Sequence, residues 1–256
     1  MSGDSHVPSR EELMQAASDL AKDDTGAEVR REACSAYAGA LAEVGQLLWI
    51  TGSMLGPDRA DGKSPFGFGS DDVVGLSVVC QVGGELARGF LDLFESGNLY
   101  SAQALLRQIV EVEYLMAAFA DQDAVAAEWL RATRKERLKF WSPARLREKA
   151  KGKFLREDYW LHCDLGGHPT PDARALLPNH KTMEPALVST DFAGHMFSTW
   201  TSLVKAIKVR RDQLPDEIEV PIAEVEETTA AWLEADDLTA VVRAIHLVHQ
   251  RPHGRP

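Results

Sequence analysis

Val29, Ala33, Tyr37, Leu41, Val44 and Leu48 recur at spacings of three or four, so one face of a long helix is apolar. The same period returns at Val73, Leu76, Val79, Leu86, Phe90 and Leu93, between a Ser70 that suits an N-cap and a Gly97 that stops the helix. From Tyr100 to Ala120 apolar residues stand nearly all the way round, as in a central helix packed on several sides. The short link through Asn98 makes these two an antiparallel hairpin.

Start and stop signals delimit the rest. Ser9-Arg10-Glu11-Glu12 and Thr25-Gly26-Ala27-Glu28 each set a hydroxyl three residues before a glutamate, the reciprocal capping arrangement. They predict a short helix ending near Asp24 and a long one reaching about Met54. Residues 56–70 hold too many glycines, prolines and aspartates for regular structure and read as a loop. Asp123 opens a helix running to Trp141, which Ser142-Pro143 ends, and Tyr159 to His162 form a last turn before Gly166-Gly167. Residues 166–188 read as an extended loop, followed by helices from Asp191 to about Gln213 and from about Ala223 to His249, with a break near Asp236-Asp237. Ile218-Glu219-Val220 is the one short strand candidate. The expectation is an all-α, single-domain antiparallel bundle of about seven or eight helices over residues 9–249, with flexible ends at 1–8 and 250–256.

Composition narrows this little: 45% of residues are hydrophobic and 26% charged, ordinary for a globular domain. No uninterrupted apolar run reaches the roughly 18 residues of a bilayer span, and the start lacks a leader's pattern, so a cytoplasmic protein without membrane contact is expected. Three cysteines, far apart and without C-x-x-C spacing, indicate neither a disulfide framework nor a zinc knuckle.

Charge changes the picture more. The total is −11, yet residues 131–156 hold eleven basic side chains against Glu136 and Glu148, a local net of +9 that leaves −20 elsewhere. Arg134, Arg137, Arg145, Arg147 and Arg156, with Phe140, Trp141 and Phe154 interleaved, have the composition of a face for phosphates or single-stranded RNA. The same run also fits a solvated face, neutralised by the acidic remainder or docked on an acidic protein.

Three further groups could carry chemistry. Arg107, Glu111 and Tyr114 form one polar stripe on an otherwise apolar helix, either an intrahelical ion pair beside a core aromatic or one wall of a pocket. The run Asp158 to Thr170 crowds Tyr159, His162, Cys163 and His168 around a glycine turn. Asp158 and His162, at i and i+4, could face one metal or one substrate together with Glu111 or Glu113. The paired Glu-x-x-His motifs of di-iron bundles are absent, so a bundle-core metal-dependent oxidase ranks below the other readings, and no cofactor is assigned. Third, arginine and histidine with five residues between them occur at Arg156/His162, Arg174/His180 and Arg243/His249, a spacing at which the two could hold and protonate a phosphodiester.

At Leu105-Leu106-Arg107-Gln108-Ile109-Val110-Glu111 and His168-Pro169-Thr170 the chain resembles an uncharacterised family of bacterial all-helical proteins. That family is itself similar to the HEPN (higher eukaryote and prokaryote nucleotide-binding) superfamily, many of whose members are dimeric ribonucleases of toxin and anti-phage systems. The resemblance implies that Arg107, Glu111 and His168 are family positions, and that the nuclease pair falls at Arg243/His249 or Arg156/His162. The asparagine or aspartate that often follows the nuclease arginine is Ala244 here, whereas Glu157 follows Arg156. The resemblance thus implies a metal-independent ribonuclease acting as a homodimer, if the chain is an enzyme, and the residues suggest a pocket in which Arg107, Glu111 and Tyr114 meet the His162 to His168 turn. The competing reading is a non-catalytic module that binds RNA or an acidic partner through its basic face.

Overall fold

A computed structural model describes residues 8–55, 69–121, 125–180 and 182–250, apart from the side chains of residues 54, 55 and 248–250. The expected flexible ends at 1–7 and 251–256, most of the 56–70 loop, Asp123 and the His249 side chain lie outside this description. Among the described residues there are eleven α-helices and no strand. The long ones are α1 (Arg10–Asp23), α2 (Ala27–Ile50), α3 (Asp71–Glu95), α4 (Leu99–Asp121), α9 (Pro185–Val209), α10 (Glu219–Ala235) and α11 (Asp237–Gln250). Four short ones, α5 (Val125–Arg131), α6 (Arg134–Phe140), α7 (Pro143–Lys149) and α8 (Arg156–His162), carry the chain from α4 to α9. The fold is the all-α bundle the pattern predicts, and the short helices raise the count.

The departures have local causes. Thr133 caps α6 by accepting from Glu136 N while Glu136 accepts from Thr133 N, so the helix expected to run to Trp141 is cut in two. The Ser9 box forms as expected, but the one at Thr25 does not: Gly26 stands at the N-cap of α2, and Asp24 turns the chain with φ 40°. Residues 166–188 contain a 3₁₀ turn at Pro171–Leu176 and the first turn of α9, where Pro185 takes the N1 position. Ile218 closes a second 3₁₀ turn and Glu219 opens α10, so the strand candidate is helical.

α4 is the central element, with α3 and α9 packed along it and the segment after α8 lodged against it. α2 lies on α3 and is covered by α10. The core is aromatic at its centre: Phe90 of α3 stacks on Phe192 of α9 with centroids 3.8 Å apart, and Tyr37 of α2 meets Trp232 of α10 edge-on at 6.4 Å. By length and composition α3 could cross a membrane, but 61% of its most apolar window is buried inside the bundle, as a core helix requires. Two buried ion pairs tie the ends of the bundle together. Arg30 reaches Asp236 at 3.0 Å and also Asp24, and Arg210 bonds Asp72, whose other oxygen accepts from the first amides of α5. Asp236 also accepts from Trp232 Nε1 and Thr239, which is why the chain breaks between α10 and α11 at that residue.

Candidate functional site

The last turn of α8 unwinds into a π-turn at Cys163–Gly167, and that turn sits directly on α4. Gly166 makes this contact possible: a Cβ there would stand 2.5 Å from Gln103 C and Ala104 N. With backbone against backbone, His162 is driven fully inside, beside Gln103. From the opposite side α9 presents Asp191, His195 and Ser198 at i, i+4 and i+7, one stripe aimed at the same place.

The two helices therefore bring the same four-residue spacing, Asp158-x-x-x-His162 on α8 and Asp191-x-x-x-His195 on α9, to one point. One donor atom from each of these residues lies within 4.8 Å of all the others. His162 Nε2 and His195 Nε2 are 3.0 Å apart, His195 Nε2 is 3.5 Å from Asp191 Oδ1, and His162 Nε2 is 3.7 Å from Asp158 Oδ1. Two imidazole nitrogens about 2.1 Å from one ion and at right angles to it would be about 3.0 Å apart. The pair already has that separation. The carboxylates are about one-third exposed and stand slightly further out.

Each imidazole is held from behind by α4. His195 Nδ1 is 2.6 Å from Glu113 Oε2, and Ser198 Oγ donates to the other oxygen of Glu113. His162 Nδ1 is 3.0 Å from the Gln103 amide. With Nε2 of Gln103 donating, its buried Oε1 has no partner among the described residues. A half-turn of the amide lets Oε1 accept Nδ1–H and leaves His162 Nε2 as a free lone pair.

Electrostatics divide the groups. Burial works against a charged His195, but the carboxylates of Glu113 and Asp191 outweigh it and hold its pKa well above the ordinary value. Burial would raise Asp191, yet His162 and His195 bring it down to about 2, so it stays ionised. For His162 burial dominates, aided by His195, and its pKa is lowered. The carboxylates thus favour positive charge at His195, which is a proton in the metal-free chain and one that a bound cation would displace.

A cavity of about 310 Å³ opens onto this cluster from the side of α10 and α11. Its floor is Glu113, Asp158, Asp191 and His195, and its walls are apolar, with Phe154, Phe197 and Trp232 prominent. Arg243 and His246, one turn apart on α11, and Lys153 line it as well.

The other expected residues fall around this centre. Arg107 and Glu111 form a 2.9 Å ion pair, and both bond the Tyr159 hydroxyl, at 3.0 and 3.2 Å. Arg147 stacks over Tyr159 at 4.5 Å, and Tyr114 packs on Phe154 at 4.3 Å. This group braces α8 through Tyr159, on the flank next to Asp158 and His162. Its partner is Tyr159, where the sequence reading expected the histidines. His168 is exposed, and its backbone N–H closes the π-turn onto Cys163 O, so its side chain is no part of the cluster. Arg134, Arg137, Arg145 and Arg156 lie on exposed surface, with Arg137 donating to Ala132 O and Arg145 paired to Glu148 at 2.7 Å. Of the Arg243/His249 pair, Arg243 lines the cavity.

No family model, no curated protein and no solved structure matches the chain. Function is therefore argued from the site alone. Asp191 and His195 are the functional residues the sequence reading missed, although the repeated Asp-x-x-x-His spacing was there to be seen.

Proposed function

We propose that this chain is a metal-dependent hydrolase of a small molecule, centred on Asp158, His162, Asp191 and His195. The observation that carries the reading is the convergence of two Asp-x-x-x-His turns from separate helices on one point, with donor atoms within 4.8 Å. Two imidazoles and two carboxylates without a thiolate suit a borderline divalent ion such as Mn²⁺, Fe²⁺, Co²⁺ or Zn²⁺. A bound ion of this kind supplies a Lewis acid and lowers the pKa of water to near neutrality.

The chain's own residues do the rest. Glu113 accepts from His195 Nδ1–H and fixes the tautomer that leaves Nε2 free, Ser198 anchors Glu113, and Gln103, with its amide turned so that Oε1 faces Nδ1, would do the same for His162. The Arg107–Glu111–Tyr159 group holds α8 at its register on α4, and so acts through Asp158 and His162 as a positioning unit. Phe154, Phe197 and Trp232 give the cavity beside the cluster an apolar lining.

This reading stands beside the metal-independent ribonuclease expected from the sequence, and it is tested by dependence on metal and indifference to dioxygen. Protein stripped with a chelator should lose turnover on ester substrates and regain it with Mn²⁺ or Zn²⁺ under anaerobic conditions. Turnover that survives chelation, or that requires dioxygen, contradicts it.

A second reading has support of its own. Arg134, Lys135, Lys139 and Lys149 stand exposed on α6 and α7, beside Leu138 at 68% and Phe140 at 43% exposure. Such a face suits an anionic partner such as RNA. A steep loss of RNA binding with rising salt supports it, and no binding at low salt removes it.

A further inference from the structure

Acidic and basic side chains line one cavity without pairing to each other: Asp158, Asp191 and Glu113 on one hand, Arg243 and Lys153 on the other. Among the described residues neither cation has a carboxylate partner. Arg243 rests on the ring of Phe197, its guanidinium carbon 5.3 Å from the centroid, and Lys153 Nζ reaches Ser202 Oγ at 3.4 Å. An arginine and a lysine beside three carboxylates would ordinarily close onto them. Here the carboxylates are met by His162 and His195, while Arg243, Lys153 and His246 stand exposed at the same cavity, so the basic set is free to take an anion from solvent.

We infer that the substrate is a small organic phosphate monoester whose phosphoryl group bridges the metal centre and the Arg243–Lys153 wall; the inference rests on the metal-centred reading given above. An anion held by these basic side chains would also lie beside the metal-binding cluster, because both line one cavity, and a phosphoryl group can meet both. The groups available to it come from three parts of the chain: the metal-binding cluster on α8 and α9, Arg243 on α11, and Lys153 on the segment before α8. A phosphoryl dianion has three terminal oxygens to meet them, whereas a carboxylate has two in one plane. His246, one turn from Arg243, faces the same space and can hydrogen-bond the leaving oxygen. The organic part lies against Phe154, Phe197 and Trp232, and a cavity of about 310 Å³ admits a small molecule.

The reaction needs only water. The water oxygen bonds to phosphorus, the bond from phosphorus to the organic oxygen breaks with its electron pair going to that oxygen, and this oxygen takes up a proton. The products are orthophosphate and an alcohol. Nothing is oxidised or reduced.

The experiment uses the full chain in two steps. Calorimetry first measures Mn²⁺ binding, then orthophosphate binding to the Mn²⁺-loaded protein, followed by turnover of p-nitrophenyl phosphate and of bis(p-nitrophenyl) phosphate. The expected result is orthophosphate binding, cleavage of the monoester in preference to the diester, and a KM for the monoester raised about tenfold or more by Arg243→Gln with Mn²⁺ affinity unchanged. Lys153→Gln should act in the same direction. If Mn²⁺ binds but orthophosphate does not, or if the diester is preferred, or if Arg243→Gln and Lys153→Gln leave the KM alone, the phosphate monoester is overturned while the metal centre stands. If Mn²⁺ itself does not bind, the metal-centred reading fails and the substrate inference falls with it.

Discussion

His162 Nε2 and His195 Nε2 face each other at 3.0 Å across the junction of α8 and α9, each imidazole gripped at Nδ1 by a different residue of α4. Two rings can hold that contact by sharing one proton, or by surrendering it to a cation. The Asp158 and Asp191 oxygens, 3.7 and 3.5 Å from the nearer Nε2, would complete the ligands of such a cation.

The grip on His195 makes Glu113→Gln informative. The amide keeps the shape of the carboxylate and removes its charge, so metal affinity should fall about 10- to 100-fold while the helical content is unchanged. Calorimetric titration with Mn²⁺ together with circular dichroism checks both halves.

Gln103 can be tested by replacement in two directions. Gln103→Leu leaves His162 Nδ1 without a partner and should weaken metal binding by about tenfold, whereas Gln103→Glu gives Nδ1–H a charged acceptor and should retain it. Equal binding by both variants would show that His162 is oriented by other contacts.

Gly166→Ala should damage site and fold together. Its methyl group would meet the α4 backbone at Gln103 and Ala104, which can yield only by lifting the π-turn. A loss of about 1–3 kcal/mol is expected in urea unfolding, with reduced metal affinity in the fraction that folds.

How much of this was legible in the sequence differs by element. The six-residue apolar series on α2 and α3 gave their buried faces directly, and Asp236-Asp237 marked the real break. The Thr133-x-x-Glu136 box was as plain as the one at Ser9, yet the apolar period running through it suggests a single helix. Asp158 with His162 was recognisable as a pair on one helix face, and Arg243 as a candidate. His195 sits in a run of apolar residues that reads as core packing, and only the fold shows that α9 meets α8 across Glu113. The bond of Tyr159 to Arg107 and Glu111 was hidden for the same reason: spacing along one helix says nothing of which neighbour reaches it.

The ion pairs of the scaffold should differ sharply in worth. Arg30 is 1% exposed and faces the fully buried Asp236, so Arg30→Ala should cost about 3–5 kcal/mol by stranding that carboxylate. Arg88, paired with Glu85 on open surface, should lose less than about 1 kcal/mol as Arg88→Ala. Denaturant unfolding of the two variants side by side measures the contrast.

All three cysteines are buried, and burial pushes the Cys34 thiol up to about 12 and Cys80 higher still. Raised thiols carry little thiolate, so Cys34 and Cys80 should react slowly with a disulfide reagent in the native protein up to about pH 9, and all three cysteines should react at once in urea. Fast native labelling of Cys34 or Cys80 would show that the α2–α3 core opens.

The most direct measurement is a crystal of the protein grown or soaked with Mn²⁺ or Zn²⁺ and examined at the metal's absorption edge. The account predicts one strong anomalous peak about 2.0–2.2 Å from both His162 Nε2 and His195 Nε2, with Asp158 and Asp191 completing its ligands. No peak there, or a peak held by other residues while these four remain as they are, would contradict it.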